Sequence, residues 1–207
     1  MNVNELITSL NDDNWLNESL ELIEDLIVDT PDELIIKLQD LINHPEKITD
    51  TNRFASLLSD LYSEKFINPL IQKISGAVPG ETTWLGDYMY ALGNCLDELE
   101  EPYKPDEDFV HLMGDWLLNT SGGEISWKAS IILSELKHPE CAQYYEQGAL
   151  SKELFHQTRI ACLKGLVNEF GLKKIHLYQQ LLEDEEQEVR EASESAIKWL
   201  NRNIQKA

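Results

Sequence analysis

Five histidines, three cysteines and a large excess of carboxylates are the residues of this chain with chemical potential, and their spacing argues against most of it. His44, His111, His138, His156 and His176 are scattered, with no His-Glu-x-x-His and no two histidines at i, i+4, so nothing indicates a helix-borne zinc site. His138 and Cys141 lie three apart but lack companion ligands. His111 and Asp115 stand at i, i+4 and read as an ordinary hydrogen-bonded or ionic pair. Ser121-Gly122-Gly123 reads as a turn, not a phosphate-cradling loop. Pro105 to Asp108 lacks the Gly and the terminal Glu of a calcium loop. Carboxylates are so numerous that no pair stands out as general acid and base. Cys95, Cys141 and Cys162, odd in number and without a CxxC, read as buried reduced thiols. These residues point to no catalytic group, no metal site and no cofactor, hence to a protein that is not an enzyme.

Charge is the more informative signal. The 207 residues include 38 acids and 17 bases, a formal net charge of −21. Residues 1–150 hold 29 acids and 8 bases, whereas residues 151–207 hold 9 of each, so the whole excess lies in the first part. Two clusters account for much of it. Asp12, Asp13, Glu18, Glu21, Glu24 and Asp25 fall in an N-terminal stretch with no Lys or Arg before Lys37. Asp97, Glu98, Glu100, Glu101, Asp106, Glu107 and Asp108 form the second, relieved only by Lys104. A surface of that sign repels phosphate, which disfavours nucleic acid as the partner. Clustered like charge serves solubility, but it also destabilises a fold by self-repulsion. A basic protein bound at these positions accounts for the localised excess.

The elements that must carry these residues read as helices. Leu occurs 31 times and Val 6 times, and no stretch alternates with period two. Leu16, Leu20, Ile23 and Ile27 keep helical spacing behind Asp13 or Asn14 as N-cap. Pro31 opens a helix with Leu34, Ile35, Leu38, Leu41 and Ile42 on its apolar face, ending at Pro45. Further helices are predicted near 50–63, 66–75, 83–99, 107–119, 125–137, 140–147, 152–170, 173–183 and 186–203, separated by Gly and Pro turns. At 42% hydrophobic the chain can bury a substantial core. The N-terminus lacks a basic-then-apolar signal pattern, and no apolar run reaches the roughly 18–20 residues of a membrane span. A soluble cytoplasmic chain without membrane contact is expected.

The helices also repeat. Val189-Arg190-Glu191-Ala192, then Ala196-Ile197 and Leu200, has the order Val-Arg-x-Ala-x-x-x-Ala-aliphatic-x-x-Leu. That order resembles the second helix of a HEAT-like repeat, with Lys173 to Leu182 as its partner helix and Glu183-Asp184-Glu185-Glu186 as an acidic turn. Fainter echoes run through Thr158-Arg159 to Leu166, Ile125 to Leu136 and Trp84 to Cys95. Taking Leu92, Leu133, Leu166 and Ile197 as equivalent gives intervals of 41, 33 and 31 residues, within the range of such repeats. The resemblance implies an all-α fold, a curved solenoid of antiparallel helical pairs in one helical-repeat domain over 1–207. Residues 66–203 would be HEAT-like pairs, and residues 1–63 divergent helices or a cap.

Such a solenoid presents one helix layer as a concave, protein-binding face. Trp127 and Ile131, like Met89 and Tyr90 one repeat earlier, fall beside or off the buried stripe. Tyr90 and Trp127 are therefore candidate partner-binding anchors, unless they pack against the adjoining repeat. Trp15, Trp84, Trp116 and Trp199 sit within apolar stripes and are expected in the core or between repeats. Small size, strong acidity, helicity and the absence of catalytic motifs also resemble bacterial toxin-immunity proteins. That resemblance implies a chain, monomeric when free, that neutralises a basic nuclease toxin through the two acidic clusters with Tyr90 and Trp127. A generic HEAT-like scaffold or adaptor is the alternative, and a HEAT-like chromophore lyase a more distant one. HEAT-like DNA glycosylases carry a basic face, opposite in sign to this chain.

Overall fold

The computed structural model describes residues 32–61, 63–120 and 123–204 and, before them, Thr8. The predicted helix through Leu16–Ile27, the N-terminal acids Asp12, Asp13, Glu18, Glu21, Glu24 and Asp25, and Trp15 lie outside the described residues. The regular elements of those described are all helices, without a strand, and divide into two compact units at Pro102 and Tyr103.

In unit 1, α1 (Asp32–Asn43) begins with Asp32 and Glu33, whose charge suits a helix N-terminus, and buries Leu34, Ile35, Leu38, Leu41 and Ile42. Pro45 prevents its continuation and starts a single 3-10 turn, Pro45–Lys47. Asp50 caps α2 (Thr51–Leu61) by accepting a 3.0 Å bond from the Arg53 amide. After the 3-10 turn Glu64–Phe66 come α3 (Ile67–Ser75) and α4 (Leu85–Asp97). α1 packs on α3, and α4 packs on both α2 and α3. Polar groups register these contacts. The Tyr88 hydroxyl donates to the Leu41 carbonyl (3.3 Å), and the Asn94 amide donates to Ser59 Oγ (3.0 Å).

Unit 2 holds α5 (Glu107–Asn119), α6 (Gly123–Leu136), α7 (Cys141–Leu150), α8 (His156–Phe170), the 3-10 turn Gly171–Lys174, α9 (Ile175–Leu181) and α10 (Gln187–Ile204). Consecutive helices pair as α5 with α6, α7 with α8, and α9 with α10. α8 also packs on α6 and on α10, and α7 packs on α5, so each pair is tied to the next. The positions matched from sequence, Leu92, Leu133, Leu166 and Ile197, fall one each on α4, α6, α8 and α10. The first three are fully buried and Ile197 is half-buried.

Glycine sets how closely α7 and α8 approach. A Cβ on Gly165 would lie 2.8 Å from the fully buried Tyr145 ring, and one on Gly148 would lie 2.6 Å from Cys162 Sγ. Each glycine therefore receives a side chain of the opposite helix, a close approach no larger residue permits. Cys95, Cys141 and Cys162 are buried and unpaired, and burial pushes their thiols up to about 12.

One ion pair joins three of these helices. Arg159 on α8 and Asp184 in the α9–α10 turn are almost wholly buried, with 2% and 6% of their side chains exposed. The guanidinium donates from Nη1 to Asp184 Oδ1 (3.0 Å), from Nη2 to Oδ2, and from Nε to the Ala149 carbonyl in the last turn of α7 (3.1 Å). Asp184 Oδ1 also accepts from the Glu186 amide (3.0 Å), and Arg190 donates to the Asp184 carbonyl (2.6 Å). The Arg159 hydrogen bonds hold the Asp184 carboxyl below its ordinary value. The acidic turn read from sequence is thus a buried junction at its second residue.

Trp199 differs from expectation. It is 53% exposed, because Val189, Ser193, Ala196 and Leu200 form the buried stripe of α10 and leave it outside. Met89, expected beside or off its stripe, is buried, while Trp116 is buried as predicted and Trp84 is half-buried against Tyr88. No described helix is long and apolar enough to cross a membrane.

Breaking a buried pair by removing one partner strands a charge and costs about 3–5 kcal/mol. Arg159→Ala and Asp184→Asn should each lower unit 2 stability by that order in urea denaturation. Asp184 has a depressed folded value, so its contribution is present above its unfolded value near 3.8 and is lost as pH falls through the folded one. The Asp184→Asn variant should therefore lose less stability on acidification than the wild type.

Candidate functional site

The acids of the central cluster are all exposed, but they fall into two structural settings. Asp106, Glu107 and Asp108 open α5, where Asp106 Oδ1 accepts the Asp108 amide (3.3 Å) and all three charges complement the helix dipole. Their presence has a local structural cause. Asp97 and Glu98 sit at the opposite kind of end, the last residue and C-cap of α4, where carbonyl groups already concentrate negative charge. No basic residue occupies the last turn of α4. Glu100 and Glu101 follow directly, and among the described residues none of these four carboxylates forms an ion pair. Several acids elsewhere do form ion pairs: Glu124 with Lys128, Glu146 with Lys174, Glu185 with Lys152, and Asp184 with Arg159.

Tyr90 shares a side of α4 with Asp97. The buried stripe of α4 takes Leu85, Tyr88, Met89, Leu92 and Leu96, which turns Tyr90 outward at 48% exposure. Asp97 follows it by two helical turns, roughly 10 Å along the axis, on the same side. Unit 1 therefore places an exposed phenol and the Asp97 carboxylate on one side of α4.

Trp127 lies in unit 2 and shapes a different feature. At 40% exposure it borders a groove of about 460 Å³ between α6 and α8. Trp127, Ser130, Ile131 and Ser134 supply one wall, and Ile160, Ala161, Lys164 and Asn168 face them from α8. The first set follows i, i+3, i+4, i+7, and the second does the same counted from Gln157, the signature of a single helix face.

Three polar arrangements were not evident from sequence spacing. His111 bonds Tyr144, with 2.6 Å between Nδ1 and the hydroxyl, rather than Asp115, because α7 packs on α5 and carries Tyr144 there. His138 Nδ1 accepts the Glu140 amide (3.3 Å), while Cys141 Sγ turns away to the Leu133 carbonyl. Glu169, near the end of α8, is the third. Burial pushes its carboxyl up to about 7, opposed in part by Tyr145 and Lys137 and reinforced by Glu135. The Tyr145 hydroxyl approaches without completing a well-directed bond, so both it and Glu169 Oε1 are buried and unsatisfied. Sequence gives no warning of this, since Glu169 looks like any other acid of an acidic chain.

Among the described residues, no three His, Cys, Asp or Glu side chains gather in a metal-binding arrangement. No protein-family model matches the chain, and neither a curated protein nor a solved structure matches it. What the geometry offers among the described residues is two surfaces, an acid-and-tyrosine end of α4 and an α6–α8 groove.

Glu169 gives a pH test. Its folded value lies above its unfolded value of 4.5, so its stabilising contribution is full below that value and is lost as pH rises toward about 7. Urea midpoints should therefore fall between pH 5 and pH 8. Glu169→Gln should flatten that fall, which separates it from the general repulsion of a highly charged chain.

Proposed function

We propose that this chain is a non-enzymatic protein-binding module that grips a basic protein through its acidic surface. A nuclease-type toxin neutralised by its immunity protein is the partner that fits best. The observation that carries this reading is the end of α4. Asp97 and Glu98 are held against the helix dipole, without a neutralising base, beside Glu100, Glu101 and the exposed Tyr90. Charges placed where they weaken a helix are hard to explain by folding and easy to explain by a cationic partner. Complementary charge would speed encounter, and the tyrosine would slow dissociation.

The architecture belongs to the same proposal. In unit 2 the successive pairs α5–α6, α7–α8 and α9–α10, with α6, α8 and α10 in one row, support a short HEAT-like solenoid of stacked antiparallel pairs. The scaffold or adaptor reading is favoured by one feature, the groove beside Trp127, which requires no basic partner.

The test has two parts. Asp97→Lys with Glu98→Lys should stabilise unit 1 by about 0.3–1 kcal/mol per site, since each reversal suits the dipole. With the basic partner recovered at low salt and released by moderate salt, the same change, or reversal of Glu100 and Glu101, should slow association at least about tenfold. An unchanged association rate would remove these acids from the interface and put the scaffold reading first.

A further inference from the structure

The groove between α6 and α8 departs from the acidic character of the chain. No carboxylate lines it, although the chain carries a net charge of −21. One end is aromatic: Trp127 borders it, and the exposed Phe155 ring lies over Gly123, one turn before Trp127. The floor is aliphatic, formed by Ile131, Ile160 and Ala161. At the other end stands Lys164, exposed and, among the described residues, without an ion pair or hydrogen bond. The Ser130 and Ser134 hydroxyls already donate to the Trp127 and Ile131 carbonyls, at 2.6 and 2.7 Å, and Ser134 Oγ also bonds Glu135 Oε1 behind the groove wall (3.1 Å). The amine and the Asn168 amide are thus the open polar groups at that end.

We propose that this groove binds a short extended segment of a partner protein, with an apolar side chain on the Ile131–Ile160 floor and an Asp or Glu side chain against Lys164. From Trp127 to Ser134 the helix rises roughly 10 Å, the span of about three extended residues. The apolar residue and the acid of the bound segment therefore stand two or three apart. Lys164 sets the sign of the contact as the one charged side chain among those lining the groove, since the Glu135 carboxylate is engaged by Ser134 and more distant charges are screened at physiological salt. The α4 surface selects the opposite charge, so this inference goes beyond the proposed function and does not rest on it.

Two blocked peptides that differ at one position test it: acetyl-Ala-Phe-Leu-Ala-Glu-Ala-amide and its twin with Lys for Glu. Each is titrated into the full chain at about 0.15 M salt. The readout is the Trp127 indole N–H resonance, assigned by its loss in Trp127→Ala. The Glu peptide should bind about fivefold more tightly than the Lys peptide, the scale of one exposed ion pair. Lys164→Glu should reverse that order, and Trp127→Ala should weaken both peptides about tenfold, by intensity loss elsewhere in the spectrum. Equal binding or a preference for the Lys peptide in the wild type would overturn the proposal. So would an unchanged order in Lys164→Glu, or an indole that stays still at millimolar peptide. The wild-type comparison decides by itself should either variant fold poorly.

Discussion

Unit 2 depends on a charge pair that could not survive unpartnered. Arg159 and Asp184 are removed from water, a transfer that costs several kcal/mol per ion, and only the two-pronged guanidinium–carboxylate fit offsets it. The third guanidinium bond, to the Ala149 carbonyl, extends the same constraint to the end of α7. α7, α8 and the turn that starts α10 therefore cannot shift independently without stranding a buried ion. The glycine contacts beside it act by shape, admitting the Tyr145 ring and the Cys162 sulfur at distances that any side chain would obstruct. Electrostatic and steric constraints thus converge on α8, the helix that also forms one wall of the groove.

Much of this helical framework is legible in the sequence because helical spacing is a local property. Leu34, Ile35, Leu38, Leu41 and Ile42 announce the buried face of α1, and the residues predicted for the helix at 107–119 are those of α5. The α8 start is less legible, since Ser151 to Phe155 continue an acceptable helical composition but form the approach to the helix. What spacing cannot give is the partner of a polar side chain. Asp184 reads as one more acid in a solvated turn, and its arginine lies 25 residues away. His111 has a plausible partner one turn along and instead finds Tyr144, 33 residues distant. Trp199 sits in a stripe that looks apolar, but small residues fill the contact and leave the indole outside.

The candidate surfaces divide in the same manner. The exposure of Tyr90 and Asp97 on one face follows from their positions on α4, so sequence could bring them together. The meaning of the acids differs by where each helix begins and ends. Asp106 to Asp108 strengthen α5, while Asp97 and Glu98 weaken α4. A run that looks uniform along the chain is therefore two populations, one suited to the helix end it occupies and the other opposed to it. The groove emerged only when α6 and α8 were set side by side, because neither wall encloses anything alone.

The three sulfhydryls have a consequence of their own. With thiols held protonated and sealed from solvent, an alkylating reagent can reach them only when the surrounding packing opens. Cys95 belongs to one compact unit, and Cys141 and Cys162 to the other. The chain thus carries a built-in clock in each half, and the rate at which each sulfur is modified records how often that half breathes.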